Sequence, residues 1–151
     1  MGLLLPELDY GATRNRVNDF LTEDFERLLM MSGRNLTDLR SPQLSLAPGH
    51  SNGTNGIETS IVQGLDAEAT VRAVHHTIYH LPETYQLIMK DRYVYQMKDW
   101  QIEKALCYGR TRYQELKRRA QLYFADGFDY WQERLECSPT IDLHVYQGAN
   151  N

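Results

Sequence analysis

The chain has 151 residues, 42% hydrophobic and 11% aromatic, with a formal net charge of −4. That content suffices for a packed core, is unlike a disordered chain, and suits one domain or one domain with a smaller module attached. No apolar run approaches the roughly 18 residues of a membrane-spanning helix, and the opening "MGLLLPELDYG" lacks the basic start and cleavage site of a signal peptide, so a cytoplasmic protein is expected.

In chain order, "RNRVNDFLTEDFERLLMMS" (14–32) carries Val17, Phe20, Leu21, Phe25, Leu28 and Leu29 at helical spacing. Thr13 is positioned to cap its start and Gly33 to end it, while Thr22 marks a second N-cap position, so this is one bent helix or two short ones. Residues 41–60, beginning "SPQLSLAPGHSNGTNG", are rich in turn formers and read as a polar, flexible linker. A connection of that length separates an N-terminal helical module, 1–40, from a second unit. From residue 61 the chain turns helical again. Asp66 caps a helix with Val71, Val74, Ile78 and Leu81 on one stripe, and Pro82 ends it and opens the next, which buries Tyr85, Ile88, Met89 and Tyr93. "DWQIEKALC" is a short helix with Asp99 as cap and Ile102 and Leu106 inward. "CYG" is a break, and "RTRYQELKRRAQLYFADG" is a further helix ending near Gly127. Residues 61–127 form one unit on this reading. Residues 128–151 add a short acidic helix and, in "TIDLHVY", a lone strand or extended arm. The fold class is mainly α.

The charge is unevenly placed. Residues 98–119 hold seven cations (Lys98, Lys104, Arg110, Arg112, Lys117, Arg118, Arg119) against Asp99, Glu103 and Glu115, a local +4 in an acidic chain. A confined basic segment is the electrostatic footprint of a nucleic-acid reader. At about 100° per residue, Tyr113, Leu116, Ala120 and Tyr123 share one side of the helix, with Phe124 at its edge. Opposite them lie Arg110, Thr111, Gln114, Lys117, Arg118 and Gln121, with Arg112 and Arg119 on the flank. Arg and Gln on such a face suit bidentate contacts to guanine and adenine edges, and flanking arginines suit phosphates. A short helix, a tight break and this helix make a helix-turn-helix pattern.

Residues 81–120 resemble the C-terminal helix-turn-helix of sigma factors, their promoter −35 reader. The likeness lies in Leu81-Pro82-Glu83, Arg92-Tyr93, Ile102 and Leu106, and Arg119-Ala120. "RNRVNDFLTEDFERLLMMSGRNLTDLRSP" (14–42), followed by a polar linker and "IVQGLDAE", resembles the ArpU family of phage-encoded transcriptional regulators of Gram-positive bacteria, related in role to RinA-type activators of late phage genes. The likeness spans residues 4–126. Cys107 and Gly109 stand where relatives have glycine in the turn and a serine or threonine cap, so Cys107 must avoid the left-handed region or bear its cost.

Other chemistry finds little support. His76 and His80 have the i, i+4 spacing of metal ligands, but no third ligand lies at a motif distance, and with His75 they read as a partly exposed face of a long helix. No nucleophile elbow and no phosphate-binding glycine loop occurs. Cys107 and Cys137 form no CxxC pair and read as free thiols. Trp100 and Trp131 read as packing residues, and Asp126, Asp129 and Glu133 as a solvated acidic face. The expectation is a sequence-specific DNA-binding regulator of phage or prophage origin in the bacterial cytoplasm, not an enzyme, with no cofactor and no metal. The resemblance implies activation of late genes for packaging, structure and lysis. Expected partners are double-stranded DNA, host RNA polymerase and a second copy of the chain, with no membrane. The rival expectation is a small-terminase-like DNA-packaging or assembly protein.

Overall fold

The computed structural model describes residues 4–45 and 66–148, and it is mainly helical. Helix α1 (Tyr10–Asp19) and helix α2 (Phe25–Ser32) are one bent rod joined through a π turn, Phe20–Asp24. Thr22 caps nothing there: its hydroxyl donates back to the Asn18 carbonyl at 2.7 Å, a bond that loosens the helical ladder where the extra residue is accommodated. The start of α1 is capped by Asp9, which accepts from the Ala12 amide at 3.0 Å, rather than by Thr13. Gly33 ends α2 in the left-handed region, φ 74°, as its lack of a Cβ permits. A 3₁₀ turn, Leu36–Arg40, follows.

Helix α3 (Ala67–Tyr79) begins at the Asp66 cap, whose carboxylate accepts from Ala69 at 3.1 Å. Helix α4 (Glu83–Met89) starts after Pro82 and runs into a second π turn, Lys90–Val94. Helix α5 (Asp99–Leu106) is short, and helix α6 (Arg110–Arg134) is 25 residues long. The expected break near Gly127 does not exist: the long basic helix and the short acidic one are a single rod. Glycine in a helix costs about 1 kcal/mol, which a packed helix tolerates. Here it also allows contact, since a Cβ on Gly127 would stand 3.2 Å from the Thr77 methyl of α3.

Residues 46–65, most of the expected linker, lie outside the described residues. Two of its first five residues are tied to the helices: His75 Nε2 donates to the Ser41 carbonyl at 2.7 Å, and the guanidinium of Arg34 donates to the Ser45 carbonyl. His75 is accordingly buried rather than partly exposed, and burial holds its pKa below the ordinary value. The N-terminal helices share their core with the rest of the chain. Helix α1 packs on α6, and α2 on α3. Val17, Phe20, Leu21, Phe25, Leu28 and Leu29 are all buried, as are Val71, Val74, Ile78, Phe124 and Phe128. Phe20 meets Phe128 at 5.3 Å between ring centroids, and Phe128 meets Phe124 at 5.4 Å. Each fully buried ring contributes about 2–3 kcal/mol.

The C-terminal segment is an extended arm. It crosses α1 and α6, with an isolated antiparallel bridge between Leu8 and Tyr146. Gln132 grips it twice, donating to the Ile141 carbonyl and accepting from the Ile141 amide, both at 2.8 Å. Thr13, buried and not a cap, accepts from the Val145 amide at 3.0 Å. His144 closes the clasp onto α6, with Nε2 2.8 Å from Asp126 and Nδ1 2.7 Å from Asp142 and 3.2 Å from Asp129. Burial pulls its pKa down, but the hydrogen bonds to Asp126 and Asp142 and the charge of Asp129 outweigh this and leave it raised.

Two outcomes follow from these polar ties. Arg34 is 2% exposed and pairs through Nε and Nη2 with Glu68, each at 2.9 Å. Arg34→Ala removes these charged hydrogen bonds, leaving Glu68 to Arg72 at 2.8 Å, and lowers stability by about 2 kcal/mol, measured as a reduced urea midpoint. For His144, a folded-state pKa above the ordinary 6.5 means its stabilisation is full below about pH 6.5 and is lost as pH rises through the folded value. The stability gap between the native protein and His144→Gln is therefore widest at acid pH and narrows above neutrality. A gap that widens with pH in urea titrations would refute the clasp.

Candidate nucleic-acid interface

The site is built from α5, a three-residue turn and the first half of α6. Helix α5 begins after Lys98, whose amide donates to the Gln101 side chain at 2.8 Å. This capping leaves Asp99 free for another task. Its Oδ1 accepts from the Tyr113 hydroxyl at 2.8 Å, and both its oxygens lie 3.1 Å from Lys117 Nζ. Arg92 Nε stands 3.4 Å off as an ion-pair contact without hydrogen-bond alignment. Burial raises the Asp99 pKa, but the Tyr113 and Lys117 hydrogen bonds and the nearby cations outweigh it and hold the carboxyl below its usual range. The same contact and burial raise the Tyr113 phenol. An ionised Asp99 thus bolts the first turn of α5 to the first two turns of α6. Asp99, expected as the cap, is instead the first residue of the helix. The signal against Asp99 as cap was Gln101, three residues after Lys98, in the position from which a side chain reaches back to a cap amide.

The turn itself bears a cost. Cys107 ends α5 at φ 61°, in the left-handed region. The Tyr108 amide then donates to Glu103 O at 3.0 Å and the Cys107 amide to Lys104 O at 3.3 Å, the paired bonds that reverse a chain at a helix end. Gly109 is extended at φ −73°, so it caps α6 without needing glycine's freedom.

Along α6 the eight expected contact residues separate. Arg110, Thr111, Arg112, Arg118 and Arg119 are exposed, and Gln114 is half-buried. The four arginines have no ion-pair partner within salt-bridge distance among the described residues. Lys117 is engaged: its side chain is 13% exposed and its charge is matched by Asp99. Gln121 is a correction. It is 6% exposed, and its Nε2 donates to the Tyr93 hydroxyl at 2.9 Å, which in turn donates to Asn18 at 2.8 Å. It is a core strut and faces no ligand. The physical reason is the width of the buried stripe. Tyr113, Leu116, Ala120, Gln121, Phe124, Ala125 and Phe128 are all covered, because α1, α3 and α4 all pack on α6. Tyr123, expected inward, is 44% exposed at the other edge. The outward remainder is Arg110, Thr111, Gln114 and Arg118, flanked by Arg112 and Arg119.

Two sequence readings outside this surface also change. Trp100, expected to pack, is 60% exposed on the first turn of α5. His76 and His80 stack on each other and against Trp131, at 5.0 and 4.4 Å from its ring. Among the described residues, the ligand atoms within 4.8 Å of one another that would suit a metal belong instead to Asp129, Asp142 and His144, and they are joined by the clasp hydrogen bonds. Cys107 and Cys137 are free thiols, exposed and buried respectively. No helix among the described residues is long and apolar enough to cross a membrane.

Relieving the left-handed cysteine gives a direct check of the turn. Cys107→Gly raises stability by about 1 kcal/mol, read as a higher urea midpoint with an unchanged slope.

Comparison with known proteins returns neither a matching family model nor a matching solved structure. It does return a relative in Enterococcus hirae, named "Putative autolysin regulatory protein ArpU" and 29% identical over 133 residues, 84% of this chain and 93% of that protein. At that coverage the similarity must include the basic segment, and the protein it points to is named as a regulator.

Proposed function

We propose that this chain is a sequence-specific DNA-binding transcriptional regulator of phage or prophage origin, acting as a binder and not as an enzyme. The observation that carries the reading is the exposed edge of α6. Four arginines without an ion-pair partner among the described residues lie with Thr111 and Gln114 on one half of a helix whose other side is built into the core. A helix so presented suits a major groove, with Arg118 and Gln114 reaching base edges and Arg112 and Arg119 the phosphates. The α5–turn–α6 segment serves as a helix-turn-helix of the kind sigma factors use at the −35 element, and the similarity to a named regulator supports the role. Activation of late genes belongs to the proposal, as do a dimer on a two-fold operator and contact with host RNA polymerase in the bacterial cytoplasm.

The test is a titration of labelled DNA from upstream of the genes adjoining its own, at several salt concentrations, with an unrelated duplex as competitor. Tight binding that falls steeply with salt and survives the competitor is expected. Equal affinity for both duplexes would remove the regulator reading in favour of packaging or architecture. Arg118→Ala is expected to weaken specific binding by roughly ten- to hundredfold while leaving the fold intact. Gln121→Ala is expected to lower stability instead, because that amide bonds Tyr93 inside the core.

A further inference from the structure

The chain has two tryptophans, and they sit in opposite circumstances. Trp131 is half-buried against His76 and His80, whereas Trp100 is 60% exposed at the second residue of α5. The core position on this short helix is taken by Ile102, which is fully buried, so Trp100 has no internal role to fill. Two lysines lie close to it in sequence, together with an acid, Glu103, three residues on. Lys98 precedes the helix, and Lys104 lies one turn along on the same side as Trp100; both are exposed, with no ion-pair partner among the described residues. The adjacent acid, Asp99, is turned away and consumed by Tyr113 and Lys117. An exposed apolar ring two residues after one exposed lysine and four before another suits a surface that alternates apolar sugar with anionic phosphate.

We propose that Trp100 packs on the sugar–phosphate backbone of the same duplex that α6 reads, between phosphates held by Lys98 and Lys104. This rests on the DNA-binding reading above and extends the interface from α6 to α5. The Asp99 bonds make the two surfaces continuous: they fix the first turn of α5 against the part of α6 that presents Gln114 and Arg118. Because the backbone is the same in every sequence, Trp100 adds affinity and register without sequence preference.

Trp131→Phe leaves Trp100 as the sole tryptophan of these 151 residues. Titrating it with the fluorescein-labelled upstream duplex follows DNA anisotropy and tryptophan emission on one sample, and both are expected to change with the same midpoint. Trp100→Ala is expected to weaken binding to the upstream and the unrelated duplex alike, by about tenfold. Its log–log salt slope should be unchanged, since no cation is lost, while Lys98→Gln and Lys104→Gln each reduce that slope by about 0.9. An unchanged urea midpoint for Trp100→Ala confirms that the fold is intact. Binding seen by anisotropy with silent tryptophan emission and native affinity in Trp100→Ala overturns this role and leaves the DNA-binding reading standing. Loss confined to the upstream duplex would make Trp100 a base reader and overturn the backbone assignment. Absence of binding to either duplex at low salt would remove both proposals.

Discussion

The buried stripe of α6 is the constraint on which the rest of the molecule depends. Helices α1, α3, α4 and α5 all rest on this one 25-residue rod, and α2 joins through α3. Tyr113, Ala120, Phe124 and Phe128 are inaccessible to solvent, so one face of the rod is core along its length while the first half carries the exposed arginines on the other face. A basic face continuous with the core scaffold is held rigidly, because moving it would open the packing of α1, α3 and α4 together. That rigidity is what a surface needs if it is to match fixed positions along a duplex.

Polar side chains decide the finer geometry. Asp99 joins α5 to α6, Gln121 joins α6 through Tyr93 to Asn18 of α1, and Arg34 joins the end of α2 through Glu68 to the start of α3. His144 and Gln132 hold the C-terminal arm across the rod. Each such group is desolvated and hydrogen-bonded, so each favours one arrangement over near alternatives that would leave it unpaired. The N-terminal helices are therefore structural partners of the basic segment in one core, whatever else they bind.

Helix ends show where reading a sequence succeeds and where it misleads. Gly33 was legible because it stops α2 as glycine should. Gly127 was not, because it lies inside α6 for the sake of close approach to Thr77. Conversely the chain turns at Gln96 and Glu136, both at positive φ without being glycine, whereas the left-handed Cys107 was marked by the resemblance to relatives with glycine there. Such residues carry a local cost that only surrounding contacts can offset, and nothing in their side chains announces it. Of the two π turns, Phe20–Asp24 falls at the break marked by Thr22, while Lys90–Val94 carries no such mark.

By itself the sequence determined the mainly helical class, most of the apolar positions that line the core, the caps at Asp66 and Gly33, and the concentration of cations between Lys98 and Arg119. All of these are local, set by spacing along a single helix or by the preferences of one residue at a terminus. Only the tertiary structure decided which of those cations and amides remain outside. Lys117 and Gln121 have the composition of contact residues, yet one is matched by Asp99, 18 positions earlier, and the other is covered by Tyr93, 28 positions earlier. The width of a buried stripe depends on how many neighbours pack on it, and that number is a property of the assembled chain.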